Sequence, residues 1–175
     1  MPMPTPICEV MVGLPGTGKS TLVQRIQTNP STFIYSTDNI LERIAAQLDK
    51  TYDEVFDNHF DSAQTEANIF LAEAIKNKQD IIWDQINIGL GKRKKILNRM
   101  RQAGYQVRCK CIIPPNNDYS GDKEDWVYRL NNRPGKTIPQ NILTNMIEWY
   151  ILPTIDEGFD ELAVYDMHGA LLSHY

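Results

Sequence analysis

The stretch "GLPGTGKST", from Gly13 to Thr21, has the residue types and spacing of a phosphate-binding loop, G-x-x-x-x-G-K-[ST]. Glycines let such a backbone turn sharply and aim its N–H groups at phosphate oxygens. The positive end of the helix that follows adds to the attraction. The loop therefore assigns Gly13, Gly16, Thr17, Gly18, Lys19, Ser20 and Thr21 to a nucleoside triphosphate. Lys19 is suited to the β- and γ-phosphates, and the Ser20 hydroxyl to Mg²⁺. Pro15 stiffens the turn.

The loop identifies the donor of a phosphate and leaves the receiver open. Asp84 ends the apolar run "DIIWD". A carboxylate at the end of a buried parallel strand sits on the rim where ligands bind, and there it either helps hold Mg²⁺ or caps a turn. Asp38, in "IYSTDN", precedes a helix. It reads equally as a helix N-cap and as the group that orients or deprotonates an attacking hydroxyl. Arg129 and Arg133, in "YRLNNRPGK", are spaced to share a helix face. They are either a clamp on a transferring phosphoryl group or a solvated basic face. "GKRKK", with Lys92, Arg93, Lys94 and Lys95, is the densest basic run; it either draws a polyanionic acceptor or is a solvated helix start.

Placing these groups on one rim takes alternating strands and helices. "ICEVMVG" predicts the first strand and "KSTLVQRIQ" the helix after the loop. "TFIYST" predicts a second strand, with a helix through Ile40, Leu41, Ile44, Ala45 and Leu48 after it. "KTYDEVFDNHF" reads as a break, with a new helix from about Phe60 to Lys76 whose stripe is Ala63, Ala67, Phe70, Leu71 and Ala74. "DIIWD", "YQVRCKCII" and "ELAVYD" predict three more strands, and the basic helix before "YQVRCKCII" ends at Gly104. Residues 116–138 read as a polar insert with a short helix, a lid bracketed by Gly121 and Gly135. Trp126 in it is a core or amphipathic-helix candidate, with stacking of Trp126 or Tyr128 on a base as the other reading. "PQNILTNMIEWYI" predicts a final helix with Pro139 at its start. The expected fold class is α/β: a mostly parallel sheet of about five strands flanked by helices, residues 1–175 forming one domain.

Composition agrees. The 175 residues are 42% hydrophobic and 23% charged, ordinary for a globular chain with a sizeable core. A net charge of −4 gives no global attraction to nucleic acid, so a polyanionic partner needs a local basic patch. Cys8, Cys109 and Cys111 fall on predicted buried strands, which points to reduced structural thiols in a cytosol-like compartment rather than zinc ligands. "MPMPTP" lacks the pattern of a secretory leader, and no apolar run approaches the ~18 residues of a membrane span.

Four stretches, "GLPGTGKST", "IYSTDNILERI", "IIWDQIN" and "WVYRLNNRPGKTIP", together resemble the kinase domain of phage-type polynucleotide 5′-hydroxyl kinases. The resemblance runs from about Ile7 to Tyr150. It implies a P-loop kinase fold with ATP and Mg²⁺ as cofactors. Asp38 would be the general base, Arg133 and Arg129 would contact the donor phosphates, and Ser20 and Asp84 would serve the metal. The chain departs from the family beside Asp38. There, "STDNILER" has no cation before Arg43, whereas family members carry basic residues that hold the acceptor's phosphate. The expected activity is transfer of the γ-phosphate to a nucleic-acid hydroxyl, foremost the 5′ end of DNA or RNA, in the cytoplasm (the host's, if phage-encoded). Three further readings stand beside it. They are a kinase for the hydroxymethyl group of 5-hydroxymethyluracil in phage DNA, a nucleoside or metabolite kinase, and a nucleotide-dependent binding module without transfer.

Overall fold

In the computed structural model, residues 4–115 and 122–175 are described. Six strands form one sheet: β1 (Ile7–Val12), β2 (Phe33–Tyr35), β3 (Ile81–Trp83), β4 (Gln106–Ile112), β5 (Glu161–Tyr165) and β6 (Leu171–His174). Their order is β2-β3-β1-β4-β5-β6, parallel except for the antiparallel β5–β6 pair. Among the described residues six α-helices connect or cover them: α1 (Lys19–Ile26), α2 (Thr37–Leu48), α3 (Tyr52–Lys76), α4 (Leu90–Gln102), α5 (Asp122–Asn131) and α6 (Gln140–Glu148).

Both faces of the sheet are covered, as parallel strands require. Alternation along β1 sends Cys8, Val10 and Val12 to one side, where they meet Leu71 of α3 and Met100 of α4. Met11 goes to the other side, with Leu22 of α1, Trp126 of α5 and Leu143 of α6. The three thiols are buried and unbridged, as their strand positions predict.

The structure differs from the sequence-based expectation in four places. The sheet has a sixth strand. After Tyr165 the chain reverses at Gly169, whose φ is +84°, and the Asp166 carboxylate accepts the N–H groups of His168 and Ala170, so a short apolar run returns along β5. The break in "KTYDEVFDNHF" is confined to Lys50 and Thr51, and from Tyr52 the stretch is already α3. Thr51 and Glu54 form a reciprocal capping box there, and Val55 is buried. Phe70 leaves the buried stripe and is exposed, while Ala63, Ala67, Leu71 and Ala74 line it. β2 stops at Tyr35, because Ser36 caps α2 by accepting the N–H of Asn39. Asp38 is therefore inside the first turn and is not the cap. Residues 116–121, with Gly121, lie outside the described residues.

Candidate active site

The strand ends of β1, β2 and β3 open into one cavity of about 1460 Å³. Each wall is set by local rules. After β1, the loop from Gly13 wraps to α1 through two left-handed glycines, Gly16 (φ +76°) and Gly18 (φ +100°). A side chain at Gly16 would also meet Leu130 at 3.0 Å. The loop is pinned from below: Gly13 N–H donates to Ile86 O at 3.1 Å, and the Thr17 hydroxyl to Leu14 O at 2.7 Å. It is pinned from above by Trp126, whose indole N–H donates to Pro15 O at 2.7 Å. Trp126 is only 4% exposed, so it is a structural anchor and not a free stacking surface; Tyr128 points to solvent. Asn87, left-handed at φ +51°, donates to Met11 O and ties the segment after β3 to β1.

Lys19, Ser20 and Thr21 open α1 and line the cavity. Lys19 Nζ folds back onto Leu14 O at 3.2 Å. Burial pushes its ammonium down to about 8, with Asp84 and Asp38 opposing and Arg133 and Lys136 reinforcing the shift. Asp84 follows β3 directly, and its N–H is held by Tyr35 O. Burial raises its carboxyl above the usual range, against the pull of Lys19. Arg129 and Arg133 both line the cavity, although α5 ends at Asn131 and only Arg129 is helical. Arg129 is committed to Asp125 at 2.7 Å and to Met167 O at 3.1 Å. Arg133 carries a buried Nη1 with no hydrogen-bond partner.

Asp38 faces the same cavity from α2, half of its side chain exposed. Lys136 donates to its Oδ2 at 2.7 Å and the Tyr52 hydroxyl to its Oδ1 at 2.8 Å. Burial works to raise the Asp38 carboxyl, but Lys136 and the two hydrogen bonds outweigh it and hold the group below the ordinary Asp range. Lys136 also reaches Glu42 at 3.3 Å and lies 4.1 Å over the Tyr52 ring. Sequence reasoning gave Lys136 no such contact; nothing local links it to a residue so distant in the chain.

A second missed feature stitches 135–137 to the start of α3. Asp53 N–H donates to Gly135 O, and the Asp53 carboxylate accepts both the N–H and the hydroxyl of Thr137. Gly135 is left-handed there, and a Cβ would strike Thr51 at 2.7 Å. Below Asp38 a chain of side chains, Gln85–Thr37–Gln64–Tyr35–Asn68, is hydrogen-bonded throughout.

The basic run splits. Lys92 lines the cavity. Arg93 is fully buried, its guanidinium held bidentately by Glu157 at 2.7 and 2.8 Å and by the carbonyls of Asn87 and Ile88. It cannot meet a polyanion. Arg43 turns away to Glu66.

The residues present fit a nucleoside triphosphate: an N–H-lined loop, a lysine at its end and an arginine with an unsatisfied buried donor. They also fit Mg²⁺ held in part by phosphates, because Ser20 and Asp84 share the cavity with Lys19. Among the described residues no cluster of three or more His, Cys, Asp or Glu is placed to hold a metal ion.

A β1–loop–α1 unit of this kind, on a parallel sheet with the strand order β2-β3-β1-β4-β5, defines a P-loop kinase fold. The chain belongs to the AAA domain family (AAA_33), which matches residues 9–148. It is similar to L-seryl-tRNA(Sec) kinase of Methanococcus maripaludis, 23% identical over 156 residues, covering 86% of this chain and 55% of that one. It thus spans about half the length of that relative. Among solved structures, one from the PezAT toxin–antitoxin system of Streptococcus pneumoniae superposes with a TM-score of 0.68 at 13% identity, covering 98% of this chain and 72% of that one. A chain of the Pnkp1/Rnl/Hen1 RNA repair complex superposes with a TM-score of 0.60 at 20% identity, covering 85% and 45%. At such identities the structures share the fold. No described helix is long and apolar enough to cross a membrane.

Proposed function

We propose that this chain is an ATP-dependent kinase that transfers the γ-phosphate to an alcohol hydroxyl. The observation that carries the reading is the unpartnered Nη1 of Arg133, buried on the cavity that also holds Lys19 and Asp38. Lys19 would leave Leu14 O for the β- and γ-phosphates, and the loop N–H groups would hold the others. Ser20 and Asp84 would hold Mg²⁺, which neutralises phosphate charge when bound. Arg133 would stabilise the charge of the transferring group, with Arg129 supporting at the nucleotide. Residues 122–138 would act as the described part of a lid, anchored on the loop by Trp126.

Asp38 would orient the acceptor. The hydroxyl oxygen bonds to the γ-phosphorus as the β–γ bridging P–O bond breaks. The electron pair leaves with ADP, and the hydroxyl proton passes to the Asp38 carboxylate and on to solvent. Lys136 and Tyr52 use one acceptor site on each Asp38 oxygen, which leaves the carboxylate free to accept an incoming hydroxyl as well.

A nucleic-acid hydroxyl, foremost a 5′ end, draws its support from the four resembling stretches and from the fold shared with the Pnkp1 RNA repair complex. The name of the relative L-seryl-tRNA(Sec) kinase adds an RNA-linked hydroxyl. A low-molecular-mass alcohol is the second reading, favoured by one observation: no Lys or Arg of α2 or α3 lines the cavity. Phosphate transfer to internal modified pyrimidines would select a kinase for 5-hydroxymethyluracil in DNA. Nucleotide binding without transfer would select a binding module. The test follows label from γ-labelled ATP to 5′-hydroxyl DNA and RNA, hydroxymethylated duplex DNA, nucleosides and small alcohols. Asp38→Asn should abolish transfer and keep nucleotide binding; transfer at the native rate would remove Asp38 from its role.

A further inference from the structure

Opposite the phosphate loop, α2 and α3 form a wall of unusual character for a site that would hold a polyanion. Tyr52, Phe56 and Phe60 are four residues apart on α3, so they stack along one face. Their ring centroids are 5.6 and 5.2 Å apart, and all three line the cavity. Phe56 and Phe60 remain 38% exposed, although they stand on a concave surface. The ladder starts at the reacting centre, because Tyr52 donates to Asp38, and leads outward along the helix.

Carboxylates flank it. Asp38 and Glu42 of α2, with Asp53 and Asp57 of α3, line the same space. Lys19, Lys92 and Lys136 also line the cavity, as do Arg25, Arg129 and Arg133, but none of these cations stands on α2 or α3, and among them only Lys136 is paired with a carboxylate of this wall. Lys136 is already shared between Asp38 and Glu42, and Asp53 is committed to Thr137. Asp57 has no ion pair among the described residues. Strands of nucleic acid are held by cationic grooves, whose Lys and Arg replace the counterions of the phosphates they contact. A wall with an excess of carboxylates repels them. The same wall suits an apolar body against the phenyl rings and a cation at the carboxylates. Lys136 shows that mode within the chain, its ammonium resting on the Tyr52 ring beside Asp38 and Glu42.

We infer that the acceptor is an amino alcohol, a hydroxyl compound with an aromatic or alkyl body and a protonated amine, bound along Tyr52, Phe56 and Phe60 with its amine at Asp57 and Glu42. The inference rests on the phosphotransferase reading above and names the substrate class for the same cavity.

The experiment uses the full chain with Mg²⁺ and γ-labelled ATP. The probes are phenylalaninol and 2-amino-1-octanol, each beside its N-acetyl derivative, and a 5′-hydroxyl oligonucleotide. Nucleotide binding is titrated separately with a fluorescent ATP analogue. The expected result is label on the amino alcohols, with kcat/KM about tenfold or more above the uncharged derivatives, a difference of about 1.4 kcal/mol. Asp57→Asn with Glu42→Gln should shrink that ratio through KM, and Phe56→Ala should raise KM for charged and acetylated compounds alike. The inference falls if the oligonucleotide outperforms every amino alcohol, if acetylation makes no difference, or if no alcohol is labelled while nucleotide binds. Failure to bind nucleotide would instead overturn the phosphotransferase reading and this one with it.

Discussion

The two halves of the cavity are built in opposite ways. The donor half is a single short loop and the start of one helix, pinned by backbone contacts from Gly13 and Thr17. The acceptor half is assembled from α2, from the start of α3 and from residues 135–137, whose groups are up to 98 residues apart where Lys136 meets Asp38. The donor half brings Lys19, Arg129 and the unpartnered Nη1 of Arg133 to the cavity, and the acceptor half carboxylates. Triphosphates all present the same oxygens, so a local arrangement of N–H groups serves any of them. Alcohols differ, and a wall made of separate pieces can change piece by piece.

The largest effects should separate the halves. Lys19→Ala should cut kcat/KM by about 10³-fold or more, since it removes charge from the transferring phosphates, while acceptor affinity stays within about twofold. Steady-state kinetics with calorimetric acceptor binding checks this; a parallel loss of acceptor binding would merge the halves. Next, the two arginines should differ. Arg133→Ala, which removes the group with the orphaned donor, should lower kcat about 10²-fold. Arg129→Ala should cost about tenfold or less, mainly in KM for ATP, because Arg129 is already held by Asp125 and Met167. Equal losses would show that the pairing of Arg129 does not distinguish them.

Smaller effects test the seam between the halves. Asp53→Ala releases both Thr137 bonds, and should lower stability by about 1 kcal/mol and raise KM for both substrates. A thermal melt and initial rates measure it; a change in one KM alone would deny the coupling. The last prediction is a pH effect. Lys136 and Tyr52 hold Asp38 below the ordinary Asp range despite its burial, so activity should persist to unusually low pH on the acid side. Lys136→Met should move that acid limb upward, because burial is then opposed by Tyr52 and the more distant Lys19. By linkage, the depressed carboxyl contributes stability that is full above the unfolded Asp value and lost as pH falls through the folded one. A pH–rate profile whose acid limb stays in place in Lys136→Met would mean that Asp38 is not the titrating group.

Much of the scaffold was legible in the chain. Apolar runs marked five strands, and the loop motif fell between β1 and α1, where its chemistry requires it. Asp84 was legible because it follows a buried strand. The start of α3 was also readable, since "TYDE" after Lys50 is a capping-box pattern; the polar residues beyond it concealed the signal. β6 was not, because four residues with mixed exposure have no clear period. Arg93 looked like part of a basic surface. Glu157, supplied from 64 residues away, joins the carbonyls of Asn87 and Ile88 to make its burial tolerable.

By itself the sequence determined what depends on neighbours along the chain: strand alternation, helix caps, left-handed glycines and the phosphate loop. These follow from backbone sterics and hydrogen bonding within a few residues. Tertiary structure alone decided which charges meet. It gave Asp38 to Lys136, hid Arg93, turned Arg43 away and left Arg133 with a donor to spare. The physical reason is that a side chain's ionisation and partners depend on burial and on charges brought near through space, which no local spacing records.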